Sequence, residues 1–312
     1  MNFTLHQLKV FLKVAEKDSV TEAAGELNLT QPAVSSQLKL LQNQVGLPLT
    51  EVIGRKIHIT DTGREFAELA KEILLKTEEL DERMTSKKGK VSGKLKLSVV
   101  STGKYFVPPI LAEFKKAYPE VKISLDVSKR GESEAALLDY EADFMIATSS
   151  SSLDAYSKID FLPNPLVLTG PASPVDFELP RQGKVNAKIL KQLPFIYRER
   201  GSGTRKRMDK FLDQEGIDPD ISMELVTNEA VKQLILAGFG VSFLSIYSMR
   251  LELEHKELQI IEHSKLPLKG QWSLVWLKGK KHTPATQAFL DFLVKNSDDW
   301  VDRLFPWVKE YV

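Results

Sequence analysis

Two short loops carry the residue types that bind anions. Ser101-Thr102-Gly103 and Gly201-Ser202-Gly203-Thr204 each stand between a predicted strand and a predicted helix, and Arg200 and Arg205 flank the second loop. Hydroxyl groups and the free backbone N–H groups of a helix N-terminus can hold a phosphate or a carboxylate. Each loop alone also fits an ordinary capped helix, so the hypothesis of an anion site depends on both loops facing one cleft.

Enzymatic chemistry finds little support in the sequence. The five histidines are scattered, and neither HExxH nor G-x-S-x-G occurs. The segment GSGTR lacks the spacing and the lysine of a P-loop. With no cysteine, the chain has neither a thiolate metal site nor a cysteine nucleophile. We therefore expect a protein that is not an enzyme and that uses no metal or cofactor.

Composition and charge are those of an ordinary globular protein. Hydrophobic residues make up 42% of the chain and charged residues 27%. The net charge of +1 does not by itself indicate a nucleic-acid partner. No stretch approaches about 18 uncharged apolar residues, and the first residues lack the pattern of a signal peptide. We expect a cytoplasmic protein without a membrane partner.

Residues 1–45 are expected to form three short helices. Their apolar faces are Leu5, Leu8, Phe11, Leu12 and Ala15 in the first helix, Val20, Ala23, Ala24 and Leu27 in the second, and Val34, Leu38 and Leu41 in the third. Ser19 and Glu22 form a capping box for the second helix, and Pro32 suits the first turn of the third. Only Asn28 and Leu29 separate these two helices, which predicts a helix-turn-helix.

The third helix has a polar outer face suited to DNA. This face carries Gln31, Ser35, Ser36, Lys39 and Gln42. Gln and Ser can donate to and accept from base edges in the major groove, and a lysine can contact a phosphate. Any three-helix bundle also has a polar outer face, so the pattern alone leaves both interpretations open.

A hairpin and a long helix follow. Residues 49–60, LTEVIGRKIHIT, predict a small wing with Gly54 in the turn and Arg55 and Lys56 at the tip, although a plain β-turn also fits.

From Thr62 to about Lys88 the apolar positions alternate at four and three residues, which is typical of a helix packed along another helix. These positions are Phe66, Ala70, Ile73, Thr77, Leu80 and Met84. Packing on its own chain is the alternative, and residues 86–94 predict a hinge.

From Leu95 onward, predicted strands alternate with predicted helices. Strands are expected at 95–101, 122–128, 143–148, 166–171, 194–199, 221–226, 240–245 and 272–277, and helices at about 105–117, 132–140, 204–214, 228–237 and 284–293. This alternation predicts parallel βαβ units in two similar lobes that enclose a ligand cleft. The aromatic tail from Trp300 to Val312 is expected to pack on its own lobe, with a subunit contact as the alternative.

The sequence resembles the LysR-type bacterial transcriptional regulators. The pair Ala23-Ala24, the segment TQPAVS (30–35) and the following Leu38-x-x-Leu41 carry the match in the head, and GRKIHITDTG (54–63) is similar to the family's wing and linker helix. The segments RERGSGTR (198–205), NEAVKQLILAGFGVSFLS (228–245) and TPATQAFLDFL (283–293) look closest to regulators of carbon fixation and of cysteine metabolism. The resemblance covers about residues 3–295.

The resemblance implies an N-terminal all-α winged helix-turn-helix at 1–62 and a linker helix and hinge at 63–93. It also implies an α/β effector domain at 94–312, whose two Rossmann-like lobes are similar to type 2 periplasmic-binding proteins. Lobe I would comprise 94–164 and 267–312, and lobe II 165–266. The expected partners are double-stranded promoter DNA, a small and anionic effector, further copies of the chain in a dimer or tetramer, and RNA polymerase as a further candidate.

The resemblance also assigns site residues. Those expected to bind DNA are Thr30, Gln31, Pro32, Ser35, Ser36, Lys39, Arg55 and Lys56. Those expected to bind the effector are Ser101, Thr102, Thr148, Ser149, Arg200, Ser202, Gly203 and Thr204. Lys104, Arg130 and Arg198 could add charge around the cleft, although solvation at the surface is the commoner fate of such residues.

One departure from the family weakens the expected grip on DNA. The family usually has PLF(E/D)R before the wing, whereas here Pro48-Leu49 is followed by Thr50, Glu51 and Val52. Residues 1–62 contain six basic and six acidic side chains, so the head is neutral. We therefore expect a shallow salt dependence per head.

A small-molecule-binding protein whose head no longer binds DNA well is the alternative function. An exported solute-binding protein is a weaker alternative, because it would leave the head without a purpose.

Overall fold

The computed structural model describes residues 2–54, 56–86, 90–148, 155–177, 179 and 183–312. Arg55 and Ser149, which the sequence analysis assigned to binding sites, lie outside the described residues. The chain divides into two compact units, residues 1–90 and 91–312. Within the described ranges, no helix combines the length and apolar character that crossing a bilayer requires. The exact residues at which the predicted domains and lobes begin and end stay predictions.

The first unit is a three-helix head followed by a hairpin and a long helix. Its elements are α1 (Leu5–Lys17), α2 (Val20–Leu27), α3 (Gln31–Val45), β1 (Thr50–Ile53), β2 (Lys56–Ile59) and α4 (Asp61–Ser86). β1 and β2 pair antiparallel around Gly54, whose φ of +66° suits a glycine. The winged helix-turn-helix and the long linker helix are therefore confirmed.

Side-chain caps start each head helix. The Ser19 hydroxyl accepts a hydrogen bond from the Glu22 N–H at 3.2 Å, which is one of the two bonds of the predicted capping box. Asn28 ends α2 in the left-handed conformation, with a φ of +53°. The chain then enters α3 after two residues, with Pro32 in the first turn. This short turn joins α2 to α3 as the sequence predicts for a helix-turn-helix.

The head core is apolar but differs from the prediction in α1. Val34, Leu38 and Leu41 are buried as expected. Leu5 is 45% exposed, and Val10 is fully buried in its place. In α4, the Phe66 ring packs edge-on against two aromatic rings of the head, and Ala70 is buried there. These two residues therefore pack on their own chain. Another face of α4 exposes four large apolar side chains: Leu69, Ile73, Leu80 and Met84.

The second unit contains two α/β lobes. Its strands are β3 (Gly93–Val100), β4 (Val121–Ser128), β5 (Phe144–Thr148), β6 (Tyr156–Pro163), β7 (Leu166–Pro171), β8 (Pro194–Arg198), β9 (Asp220–Leu225), β10 (Ser242–Ser245), β11 (Leu258–Ile261) and β12 (Gln271–Leu277). Its helices are α5 (Val107–Ala117), α6 (Arg130–Leu138), α7 (Ala187–Leu190), α8 (Gly203–Gln214), α9 (Asn228–Leu236), α10 (Arg250–Glu254), α11 (Pro284–Asn296) and α12 (Trp300–Leu304).

The two lobes are built on separate sheets. One sheet has the strand order β4-β3-β5-β12-β6, in which β3, β4 and β5 are parallel and β12 is antiparallel to both neighbours. In the other lobe β7 lies between β10 and β11, antiparallel to both, and β8 and β9 form a parallel pair. The two-lobed α/β class is confirmed, but the purely parallel βαβ expectation is wrong for β6, β7, β10, β11 and β12.

Two antiparallel crossover segments connect the lobes. The Asn164 N–H donates to the Gly270 carbonyl at 2.8 Å, and Leu166 and Leu268 exchange two backbone bonds. Because the chain passes between the sheets at these paired segments, they are the place about which the lobes can rotate.

The aromatic tail packs on its own unit. Trp300, Phe305 and Val308 are buried, and Phe305 packs edge-on against Tyr247 with 5.2 Å between ring centroids. Arg303 pairs with Glu113 of α5 at 3.0 Å. Glu113 lies in predicted lobe I and Tyr247 in predicted lobe II, so the tail packs on its own lobe and also reaches the other one. The alternative of a subunit contact stays untested.

Candidate functional site

A cavity of about 700 Å³ collects the predicted effector residues. Seven of the eight predicted positions line it: Ser101, Thr102, Thr148, Arg200, Ser202, Gly203 and Thr204. The eighth, Ser149, lies outside the described residues. We call this space the cleft cavity. It lies between the two sheets, since β3 and β5 belong to one lobe and α8 to the other.

Strand ends and helix starts place these residues. β3 ends at Val100, and a 3₁₀ turn at Ser101–Tyr105 follows directly. In the other lobe β8 ends at Arg198 and α8 begins at Gly203. Gly201 makes the intervening turn with a φ of +93°, a conformation that favours glycine. Gly203 and Thr204, the first residues of α8, line the cavity, so the N-terminus of this helix lies at the cavity wall, as an anion site needs.

The lobes approach each other closely at Gly203. A Cβ atom on Gly203 would lie 2.4 Å from the Thr148 hydroxyl oxygen of the opposite lobe. Its next nearest neighbour would be the Thr148 Cβ atom at 3.7 Å, which is ordinary contact. A side chain at residue 203 would require the Thr148 hydroxyl to move, so the glycine favours the observed approach of the lobes.

Arg198 is a structural member of the cleft rather than a solvated surface residue. It is 4% exposed, and its guanidinium donates to the Asn228 side-chain oxygen, to the Val226 carbonyl at 2.8 Å and to Glu199. The Asn228 amide in turn donates to the Thr102 hydroxyl at 2.9 Å. Surface solvation was therefore the wrong expectation for Arg198. Its acceptors Val226 and Asn228 lie around the start of α9, about thirty positions later in the sequence.

Three other basic residues take different positions. Arg130 lines the cavity and donates to Glu134 at 2.9 Å and to the Thr148 carbonyl at 3.2 Å. Lys104 pairs with Glu229 at 2.7 Å and is not part of the lining. Arg205, predicted to flank the anion loop, donates instead to the Arg198 carbonyl at 3.0 Å. Of these three, Arg130 alone contributes to the cavity wall.

The lining is more basic than acidic. Basic members are Lys129, Arg130, Arg198, Arg200 and Lys206, and acidic members are Glu132, Glu134 and Glu199. Apart from Arg130, the wall made by the end of β4 and the start of α6 was not predicted from the sequence. The rule that found Ser101 could have found it, since Ser128-Lys129 also joins a strand end to a helix. Tyr156 lines this wall as well, and burial raises the pKa of its phenol.

The head presents its predicted DNA-binding residues on the start of α3. Gln31, Pro32, Ser36 and Lys39 are exposed, while Ser35 is half-buried. Thr30 is exposed too, but its hydroxyl accepts the Ala33 N–H and caps the helix. On the wing Lys56 is exposed at the start of β2. These assignments to DNA contact stay predictions.

Gln42 serves the fold instead of the exposed polar face. Its side-chain oxygen accepts the Leu49 N–H at 2.9 Å and the Thr50 N–H at 3.0 Å. Its amide therefore fixes the start of the wing at the position where the family pattern departs. The wing strand itself leaves Val52 71% exposed.

Several head charges neutralise one another. Lys13 lies 2.6 Å from Glu16 and 3.0 Å from Glu26, and Lys17 lies 2.5 Å from Glu26. The two pairs with Glu26 join α1 to α2. Lys9, Lys39 and Lys56 remain as exposed cations with no ion pair among the described residues of the head.

A helix-turn-helix head joined to a two-lobed unit with an interior cavity defines a ligand-responsive, DNA-binding transcriptional regulator. The model of the lysR-family bacterial regulatory helix-turn-helix proteins matches residues 5–64, and that of the LysR substrate binding domain matches residues 88–298. The chain belongs to the LysR family. The aromatic tail lies beyond the matched residues.

Relatives support the same family. The HTH-type transcriptional activator CmpR of Synechocystis is 37% identical over 95% of this chain and 97% of the relative. The RuBisCO operon transcriptional regulator of Allochromatium vinosum is 35% identical over 95% of this chain and 97% of its own length. These names confirm the predicted resemblance to regulators of carbon fixation, and they confirm that the chain belongs with regulators rather than enzymes.

A solved structure resembles the second unit. The regulatory domain of Synechocystis PCC6803 CcmR, in complex with 2-PG, is 32% identical to this chain. The superposition covers 66% of this chain and 98% of that domain, with a TM-score of 0.61.

Proposed function

We propose that the cleft cavity binds a small anionic metabolite bearing a phosphate or a carboxylate. The observation that carries this proposal is the lining itself. Hydroxyls of Ser101, Thr102 and Thr204 meet the N-terminus of α8 in a cavity with five basic and three acidic residues. Such an arrangement favours an anion because helix N–H groups and cations both stabilise negative charge. The regulatory domain of CcmR binds 2-PG, which makes 2-PG the first metabolite to test.

Binding would regulate transcription through a population shift. An anion in the cleft contacts both lobes and favours the state in which Gly203 and Thr148 lie close together. Coupling between two sites in one protein typically amounts to about 1–3 kcal/mol, and it is reciprocal. Promoter DNA and effector should therefore change each other's affinity by the same factor. No cofactor is needed for this mechanism.

Self-association supplies the remaining DNA contacts. The exposed apolar side chains on α4 recur at intervals that suit pairing with a second helix. We propose a dimer through α4 and a tetramer of two such dimers, in the cytoplasm, acting on promoter DNA and on RNA polymerase. Several heads bound together would compensate for the neutral charge of each head.

The alternative function is a cytoplasmic metabolite-binding protein whose head binds DNA weakly. It is favoured by Thr50, Glu51 and Val52, which depart from the PLF(E/D)R pattern that the family resemblance implies before the wing. Binding to the chain's own upstream DNA separates the two functions.

The effector proposal is tested by calorimetric titration of the full-length protein with 2-PG and with inorganic phosphate. Lys206→Gln removes a cation from the cavity wall, and we expect it to weaken binding by about tenfold, the value of one charge-assisted hydrogen bond. Lys191→Gln removes an exposed lysine of the same lobe outside the cavity and serves as the control. If neither probe binds, the proposal of an anion site in the cleft cavity is wrong. If both variants lose affinity equally, the anion does not bind at the cavity wall that contains Lys206.

A further inference from the structure

A second cavity, of about 750 Å³, lies beside the crossover segments. We call it the crossover cavity. Its lining includes Arg207 and Lys210 of α8 and Lys265 and Lys269 of the segment that returns to the first lobe. Asp160 is the acidic member of the described lining. The cavity is therefore rich in positive charge. Thr148 lines both cavities, but the proposed effector mechanism uses none of the basic residues of the crossover cavity.

Arg207 is the least compensated charge in this cavity. Its Nη1 atom donates to the Asn164 carbonyl at 3.2 Å, and Nη2 donates to the Leu268 carbonyl. No carboxylate within the described parts of the chain lies close enough to form an ion pair with it. Burial lowers the pKa of its guanidinium to about 10, because the charged form loses hydration without gaining an opposite charge.

Gly270 makes room for this guanidinium. A Cβ atom at residue 270 would lie 2.7 Å from Nη1 and 2.8 Å from Cζ of Arg207. A side chain there would displace the guanidinium from the crossover carbonyls. The arrangement therefore needs both the glycine and the arginine, and it holds a cation against the segments that connect the lobes.

The other charges do not neutralise the crossover cavity. Lys265 pairs with Glu215 at 2.6 Å. Asp160 accepts from the Ser273 hydroxyl at 2.5 Å and lies 3.4 Å from the Lys158 ammonium. Lys210 and Lys269 form no ion pair with any described residue. Both lysines are exposed and therefore hydrated, so only the half-buried Arg207 loses hydration. An anion in the cavity would meet three cations that have no carboxylate partner among the described residues.

We propose that the crossover cavity is a second anion-binding site, distinct from the cleft cavity, for a compact polyanion such as a phosphorylated or polycarboxylated metabolite. Lys210 and Lys269 contact it from the two sides, and Arg207 binds it from the crossover. Since α8 carries Arg207 and Lys210 and begins at Gly203 in the cleft cavity, one helix joins the two sites. Coupling between the sites rests on the proposed function, whereas the second site itself does not.

The test is calorimetric titration of the full-length protein with inorganic pyrophosphate at fixed ionic strength. The double variant Lys210→Gln/Lys269→Gln removes two exposed cations of the crossover cavity and leaves the half-buried Arg207 in place. The control Lys188→Gln/Lys191→Gln removes the same charge from exposed positions of the same lobe that line neither described cavity. Lys206→Gln reports separately on the cleft cavity.

We expect two binding events per chain in the unmodified protein and in the control. The double variant should lose one event or weaken it by about 10–100-fold, since each charge-assisted contact accounts for about tenfold in affinity. Lys206→Gln should affect the other event only. A single event that Lys206→Gln weakens, or two events that survive in the double variant, would overturn the proposal. Loss of the cleft event alone would count against the proposed function and leave the second site standing.

Discussion

The close approach of Gly203 to Thr148 gives a prediction whose size follows from the structure. Gly203→Ala would add a Cβ atom 2.4 Å from the Thr148 hydroxyl oxygen. Overpacking of this kind costs about 1–3 kcal/mol. Alanine also favours a helix over glycine by up to about 1 kcal/mol, which offsets part of this cost. We expect a net loss of about 1–2 kcal/mol, or a fall in Tm of roughly 2–8 °C for a unit of this size.

A double-mutant cycle isolates the contact. Thr148→Ala removes the hydroxyl and leaves the Thr148 Cβ atom 3.7 Å from the new methyl group, which is a normal distance. In that background Gly203→Ala should cost nothing or stabilise the protein, because the helix preference remains and the collision does not. The assay is thermal and urea unfolding of all four proteins without effector. An equal cost of Gly203→Ala in both backgrounds would refute the inferred approach of the two lobes.

Three further predictions concern the cleft, the pH response and the head. Asn228→Ala leaves buried partners of the Asn228 amide unpaired, including the Thr102 hydroxyl, and should cost about 2–4 kcal/mol in urea unfolding. Burial lowers the pKa of the His263 imidazole in the folded protein, so the unfolded chain binds the proton more readily. The free energy of unfolding should therefore fall as the pH drops below about 6.5, and His263→Gln should reduce that fall. Lys39→Gln should lower the salt slope of DNA binding by about 0.9 per head, whereas Lys13→Gln, at a residue already paired with glutamates, should leave it unchanged.

Each of these predictions has a contradicting result. A cost within about 0.5 kcal/mol for Asn228→Ala would mean that the amide network is exposed to water. An identical pH dependence in His263→Gln would assign the acid sensitivity to other groups. Equal salt slopes in the Lys39→Gln and unmodified proteins would remove Lys39 from the set of phosphate contacts.

The sequence predicted the parts of the fold that rest on local patterns. Hydroxyl caps, helical spacing and the short turn at Asn28 specify the head because each acts within one or two helical turns. Glycine-rich loops at strand ends located the cleft cavity for the same reason. β6 and β11 were missed, although antiparallel strands complete both sheets. Their partners β12 and β7 are distant in sequence, so local alternation of strands and helices does not reveal these pairings.

Residues whose roles depend on distant partners were predicted less well. Arg198 is buried because Asn228, thirty positions later, accepts from its guanidinium. Gln42 is drawn from the polar face of α3 by the N–H groups that begin the wing. Arg207 is held by carbonyls of both crossover segments. None of these contacts has a local sequence signal, since each requires knowing which loops meet in space.

The most direct test of the central account is fluorescence anisotropy of the full-length protein with its own upstream DNA, over a salt series, beside a scrambled duplex. The account predicts tight, sequence-dependent binding whose log–log salt slope is shallow, about −3 per head if Lys39, Arg55 and Lys56 each contact a phosphate. It also predicts that an anion bound in the cleft changes this affinity. Equally weak binding to both duplexes would contradict the function of a DNA-binding regulator. It would favour a metabolite-binding protein whose wing, which departs from the family pattern at Thr50 and Val52, no longer binds DNA.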